Sequence, residues 1–212
     1  ADPSYLDDSE VADYLSRIGT RLVAVSDRYV VEHSFEFFAL NNSEINAFAL
    51  PGGFMGFHSG LITAAQSESE LAGVMAHEIA HVTQKHLARM ISGNQYTGMI
   101  ASIAALAIAI LASRSNPQAG SAVMAATQAG LIQSQLNFTR KHEKEADRIG
   151  FDMLIKAGFD PHGMASFFER MQHASRYHEN SAPSFLRTHP ITYERIADIQ
   201  NRVREVSYRQ VP

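Results

Sequence analysis

Residues 77 to 81 read His-Glu-Ile-Ala-His, and the pentapeptide holds the side chains a hydrolytic metal site needs, two imidazoles with a carboxylate between them. On an α-helix His77 and His81 project from one face a turn apart, so both can reach one metal ion at about 2.0–2.1 Å. Glu78 stands beside them as a base for a water that the metal activates. Alone, the five residues are suggestive; a helix to carry them and a third ligand would make them a site.

The helical context is present. Ser67 followed by Glu70 has the spacing of a reciprocal cap, in which a hydroxyl and a carboxylate satisfy free N–H groups of the first turn. Leu71, Val74, Met75, Ile79 and Val82 then recur at three- and four-residue steps without a proline until Ser92-Gly93-Asn94. This predicts one helix over 67–92. On it His86, nine positions after His77, lies about 180° around the axis and is expected to face away from the site.

A third ligand is found downstream. From Leu131 to Gly158 the apolar residues Ile132, Leu136, Ile149, Met153 and Leu154 predict a second long helix, which carries Glu143 and Asp147 on one face. Glu143 could complete a His2Glu set with a fourth position open, the ligand count of a catalytic zinc. Asp147 could accept from the outer ring nitrogen of His77 and fix its tautomer. The competing reading of this pair is a solvated face laced with Lys141, Lys144 and Arg148.

The elements before the metal helix are short. Val11, Leu15, Ile18, Leu22 and Val25 predict an amphipathic helix over 9–27 that covers a sheet. Residues 35–40 and 45–50 read as a hairpin through Asn41-Asn42-Ser43-Glu44, and Pro51-Gly52-Gly53 turns the chain into a third strand, 54–58. The expected fold is therefore α+β and mainly helical, with a small antiparallel three-stranded sheet beside the HExxH helix. If strand 46–50 is an edge, its open N–H and C=O groups can take up a substrate as an added strand, with Asn46, Ala47 and Phe48 as substrate-binding residues. Otherwise the strands only support the helix.

Composition narrows the classes. A chain of 212 residues with 45% hydrophobic content is expected to form one domain, 1–212. The net charge of −4, with basic residues dispersed, argues against nucleic acid. No cysteine is present, so disulfides and thiolate ligands are excluded, and His and carboxylates remain as ligands for a transition metal. The first ten residues carry no basic, apolar leader, so a signal peptide is expected to be absent from this chain. Residues 98–112, GMIASIAALAIAILA, are the most apolar run, yet at about 15 residues they fall short of the roughly 20 that span a bilayer. We expect an apolar insertion at about 95–130, mobile or membrane-facing, with 98–132 as the surface for an outer-membrane or membrane-assembly partner.

HEIAH at 77–81 together with EKEAD at 143–147 resembles the zinc metallopeptidase family that includes the CAAX prenyl proteases and the periplasmic β-barrel-assembly-enhancing protease. NAFALPGG at 46–53, SGL at 59–61, GFDP at 158–161 and THP at 188–190 extend the likeness to its soluble bacterial branch. The resemblance implies one zinc ion per chain held by His77, His81 and Glu143, with Glu78 as general base. It also implies that His189 lies near the metal and can restrain activity, with Arg195 close by. Tyr193, His189 and Arg195 are then candidates to stabilise a developing oxyanion, His189 first. As a neutral imidazole His189 could instead take the fourth metal position in a latent state. The expected function is a zinc endopeptidase acting on unfolded or misassembled envelope polypeptides in the bacterial periplasm, peripheral to a membrane. The rival is a chaperone-like docking module with a plugged zinc site.

Overall fold

The computed structural model describes residues 6–26, 34–50, 52–91, 140–177 and 183–206. The expected insertion at 95–130, the partner surface 98–132 and the first part of the helix expected from 131 lie outside them. Helix α1, Ser9–Ala24, opens on Asp8, whose carboxylate accepts from the N–H groups of Glu10 and Val11. It buries Leu15, Ile18 and Leu22 in the core.

Three strands follow: β1 (Glu36–Leu40), β2 (Ala47–Leu50) and β3 (Phe54–His58). Their order is β1-β3-β2, with β1 parallel and β2 antiparallel to β3. The sheet is mixed, which corrects the all-antiparallel expectation, and β1 and β2 do not form a hairpin. The hairpin is β2–β3, closed by Gly52 and Gly53 at φ +90° and +85°, a left-handed conformation that costs glycine little. Strand β3 is buried along its whole length and takes the centre, while β1 is only partly buried. The 41–46 loop instead carries the chain past the end of β3. Asn42 pins it there, with its carbonyl accepting from Gly60 N–H at 2.8 Å and Ser59 Oγ at 2.9 Å.

After the short α2 (Ser59–Ala64) comes the central helix α3, Glu68–Thr83. Every residue from Glu70 to His81 is buried, because α3 packs against α1, β2 and two later helices. Its N-terminus shows half of the expected reciprocal cap. Ser67 Oγ accepts from Glu70 N–H at 3.2 Å, but the Glu70 carboxylate reaches Gln66 N–H, at 2.7 Å, and the Arg170 guanidinium.

The helix predicted to run to residue 92 stops at Thr83. Lys85 adopts φ +53°, and a separate helix α4, His86–Ile91, begins directly after it. Two long helices complete the wrapping, α5 (Arg140–Lys156) and α6 (His162–Tyr177). Gly150 lets α5 lie directly on α3: a Cβ there would sit 3.0 Å from Ala76 C and His77 N. The last described elements are the short α7, Ser184–Thr188, and α8, Tyr193–Glu205, which is capped by Thr192 Oγ1 accepting from Arg195 N–H. Among the described residues no helix is long and apolar enough to cross a membrane.

Candidate metal centre

Helix α3 presents His77, Glu78 and His81 within the core, α5 lays Glu143 and Asp147 across them, and the α7 end brings in His189. One donor atom from each of His77, His81, Glu143 and His189 lies within 4.8 Å of the others, and all four residues are buried. The nearest separations are His77 Nε2 to His81 Nε2, 3.0 Å, to His189 Nδ1, 3.3 Å, and to Glu143 Oε2, 3.4 Å. Glu143 Oε1 stands 3.3 Å from His81 Nε2 and 3.1 Å from His189 Nδ1. Four ligands at 2.0–2.1 Å in a tetrahedron are separated from one another by about 3.3 Å, so the observed spacing and the N3O donor set fit a zinc ion.

The surroundings hold these donors in place. Asp147 Oδ1 is 3.0 Å from His77 Nδ1. Arg195 grips Asp147 through Nε and Nη2 at 2.6 and 2.7 Å, and its Nη1 reaches Glu143 Oε2 and the Pro190 carbonyl, both at 2.8 Å. The guanidinium is thus spent on the carboxylates that surround the ligands. His189 stacks on Phe185, with centroids 4.8 Å apart, and turns its Nε2 toward Glu78 Oε1 at 3.4 Å. Tyr193 stands outside the cluster, 66% exposed.

The electrostatics favour a positive occupant. Burial alone would lower His77, but hydrogen bonds to Asp147 and Glu143 outweigh it and lift the imidazole to about 9. Burial would raise Glu143 as well, yet His189, His77 and His81 hold it well below the usual carboxylate range. Asp147 is held down against burial by Arg195, whose own pKa the two carboxylates raise. Burial dominates at the other two groups. It pushes His81 well down, keeping a neutral ligand nitrogen, and raises Glu78, bringing a carboxylate toward the range of a working base.

Strand β2 packs against α3 and is an edge of the sheet. Ala47 and Phe48 are fully buried; Asn46 is buried just before them, and its Oδ1 has no hydrogen-bond partner among the described residues.

Sequence reasoning missed His86. The rotation argument assumed an unbroken helix, whereas the left-handed residue Lys85 turns His86 back, fully buried, with Nδ1 3.0 Å from His81 Nδ1. Local sequence offers little warning, since a lysine stands where glycine or asparagine is the usual residue.

Comparison with known proteins agrees with the geometry. The profile of peptidase family M48 matches residues 9–203. The chain belongs to that family of zinc metallopeptidases. The beta-barrel assembly-enhancing protease of Escherichia coli K12 is 42% identical over 201 residues, which cover 95% of this chain and 40% of that protein. The mitochondrial metalloendopeptidase OMA1 of Schizosaccharomyces pombe is 32% identical over 93% of this chain and 54% of its own length. The metalloprotease LoiP of Escherichia coli K12 is 30% identical over 76% of this chain and 59% of its own. The chain spans about 40% of the length of the beta-barrel assembly-enhancing proteases it matches.

Proposed function

We propose that this chain is the catalytic domain of a zinc endopeptidase that cleaves unfolded or misassembled polypeptides of the bacterial envelope, on the periplasmic side. The observation that carries the reading is the convergence of His77, His81 and Glu143 donors at tetrahedral spacing with Glu78 beside them in a buried pocket. The envelope setting and the link to outer-membrane assembly come from relatives named for β-barrel assembly.

His77, His81 and Glu143 would hold a zinc ion, whose Lewis acidity would lower the pKa of a water and polarise a carbonyl. Glu78 takes the water proton and delivers it to the leaving amine; its burial-raised pKa suits both transfers. Asp147 orients His77, and Arg195 acts by positioning Asp147 and Glu143. The edge strand β2 receives an extended peptide at Asn46, Ala47 and Phe48, and the unpartnered Asn46 Oδ1 supports this as an acceptor for a substrate N–H.

His189 holds the site latent. Its Nδ1 stands at ligand spacing from His77 and Glu143, where a water or substrate oxygen would otherwise enter. The test measures bound zinc, then casein cleavage, in wild type, Glu78→Gln and His189→Ala. The expected result is full zinc in all three, a loss of cleavage on the order of 10²–10⁴-fold in Glu78→Gln, and a gain in His189→Ala. A loss of cleavage in His189→Ala with zinc retained would replace latency by transition-state stabilisation. The position of His189 also favours a second reading, a docking module with a plugged centre. Full zinc with no cleavage by wild type or His189→Ala would select it.

A further inference from the structure

His77 and His81 are the two imidazoles of the HExxH helix, and each is backed at its outer nitrogen in a different way. At His77 the support is direct: Asp147 lies 3.0 Å from Nδ1 and is itself clamped by Arg195. At His81 the neighbour of Nδ1 is a second imidazole. His86 Nδ1 stands 3.0 Å away, His86 Nε2 lies 3.3 Å from Glu145 Oε2, and Arg89 Nη1 is 3.0 Å from that same oxygen.

We infer that His86 and Glu145 are positioning residues for the metal centre, forming with Arg89 a relay that holds the ring of His81 in its ligating orientation. The inference rests on the reading of His81 as a zinc ligand through Nε2. That assignment puts the ring proton of His81 on Nδ1, aimed at His86. Two nitrogens 3.0 Å apart cannot both carry protons along the line between them, so His86 Nδ1 accepts. The proton of His86 is then on Nε2, facing the Glu145 carboxylate, whose negative charge is balanced by Arg89. Each ligand imidazole thereby ends on a carboxylate with an arginine behind it, His77 in one step and His81 in two.

The inserted imidazole follows from the fold. Glu145 is on the outer side of α5, about a third exposed, and is too far out to meet a fully buried ligand ring directly. The left-handed turn at Lys85 aims α4 so that its first residue fills the gap, and His142 stacks on the free face of His86, centroids 4.6 Å apart and planes at 20°. His86 is not a member of the ligand cluster, because its near nitrogen meets the outer and not the inner nitrogen of His81. Partners of this kind orient ligands, raise their basicity and typically change metal affinity about 10–100-fold.

The experiment measures zinc affinity of the chain by competition with a chromogenic chelator, in wild type, His81→Ala, His86→Leu, His86→Gln and Glu145→Gln. Far-UV circular dichroism of the metal-free proteins checks folding. Binding is expected to weaken about 10–100-fold in His86→Leu and by less in Glu145→Gln. His86→Gln, whose amide can accept from His81 and donate to Glu145, should recover most of it. In the cobalt(II) form the visible bands should move in His86→Leu and stay near wild type in His86→Gln. Unchanged affinity in a folded His86→Leu would overturn the relay, as would equal losses in the Leu and Gln variants, which would mean packing alone. Should His86→Leu not fold, Glu145→Gln decides, weaker binding supporting the relay and unchanged binding overturning it. No zinc binding by wild type would instead overturn the metal-centre reading on which the relay rests.

Discussion

Helix α3 carries a buried ionic group near its first turn and another two turns on. At Glu70 the carboxylate is matched from outside the helix by Arg170, at 2.6 Å, and by Gln66 N–H, at 2.7 Å, so its acceptors are consumed. Around His77 and Glu78 the arrangement is different. Glu143 and Asp147 share one guanidinium, four donor atoms point inward at a common centre, and Glu78 Oε1 makes no hydrogen bond among the described residues, with His189 Nε2 facing it at 3.4 Å. A structural pair closes on itself, because an unmatched buried charge is costly. A metal site leaves an electrostatic deficit of defined shape, which a cation fills.

That contrast can be broken most forcefully at Arg195. Arg195→Met strips the buried Asp147 and Glu143 carboxylates of the guanidinium they share, and urea unfolding of the metal-free protein should lose about 3–5 kcal/mol. Saturating zinc should restore part of the loss, since the ion supplies the missing positive charge. If zinc restored nothing, the two clusters would be of one kind.

A smaller effect is expected where the two helices touch. Gly150→Ala places a methyl 3.0 Å from the α3 backbone at Ala76 and His77, and neither helix can yield without shifting Glu143 relative to the histidines. Stability should fall by about 1–3 kcal/mol, with zinc affinity falling in parallel. Lost stability with unchanged affinity would show that Glu143 follows the ligands by side-chain adjustment.

The smallest effect belongs to Glu70. Burial raises its pKa, but Arg170 and the Gln66 N–H outweigh burial and hold it below 4.5. A carboxylate depressed on folding contributes stability that is fully present above its unfolded value and is lost as pH falls through the folded one. Glu70→Gln should therefore flatten the acid side of the stability profile, with a loss at pH 7 of about 1–2 kcal/mol. This loss should be the same with and without zinc. A zinc-dependent loss would tie Glu70 to the metal centre.

Much of the site was legible because it is written in helical periods. His77, Glu78 and His81 share a segment whose start at Ser67 has a cap signature, and Glu143 with Asp147 shares another, four residues apart. Spacing alone left Glu143 and Asp147 open to a solvated face; it was the resemblance carried by HEIAH together with EKEAD that joined the two helices into one site. The sheet was misread because short apolar strands carry no label for their neighbours: 35–40 and 45–50 look like a hairpin, yet the wholly buried β3 claims the centre and separates them. His86 was misplaced for a related reason, since one lysine at φ +53° separates α3 from α4 and breaks the helical rotation between His77 and His86.

By itself, then, the sequence made legible the helix of His77, Glu78 and His81, the segment of Glu143 and Asp147 and, through a family resemblance, the zinc class, since each motif depends on spacings of a few residues along the chain. Tertiary structure alone decided that Arg195 is engaged with Asp147 and Glu143, that it is Nδ1 of His189 that stands 3.3 Å from His77 Nε2, and that His86 Nδ1 lies 3.0 Å from His81 Nδ1. These contacts join residues up to 112 positions apart or cross a break in a helix. They are set by close packing at Gly150 and by the need to match buried charge, neither of which leaves a local pattern.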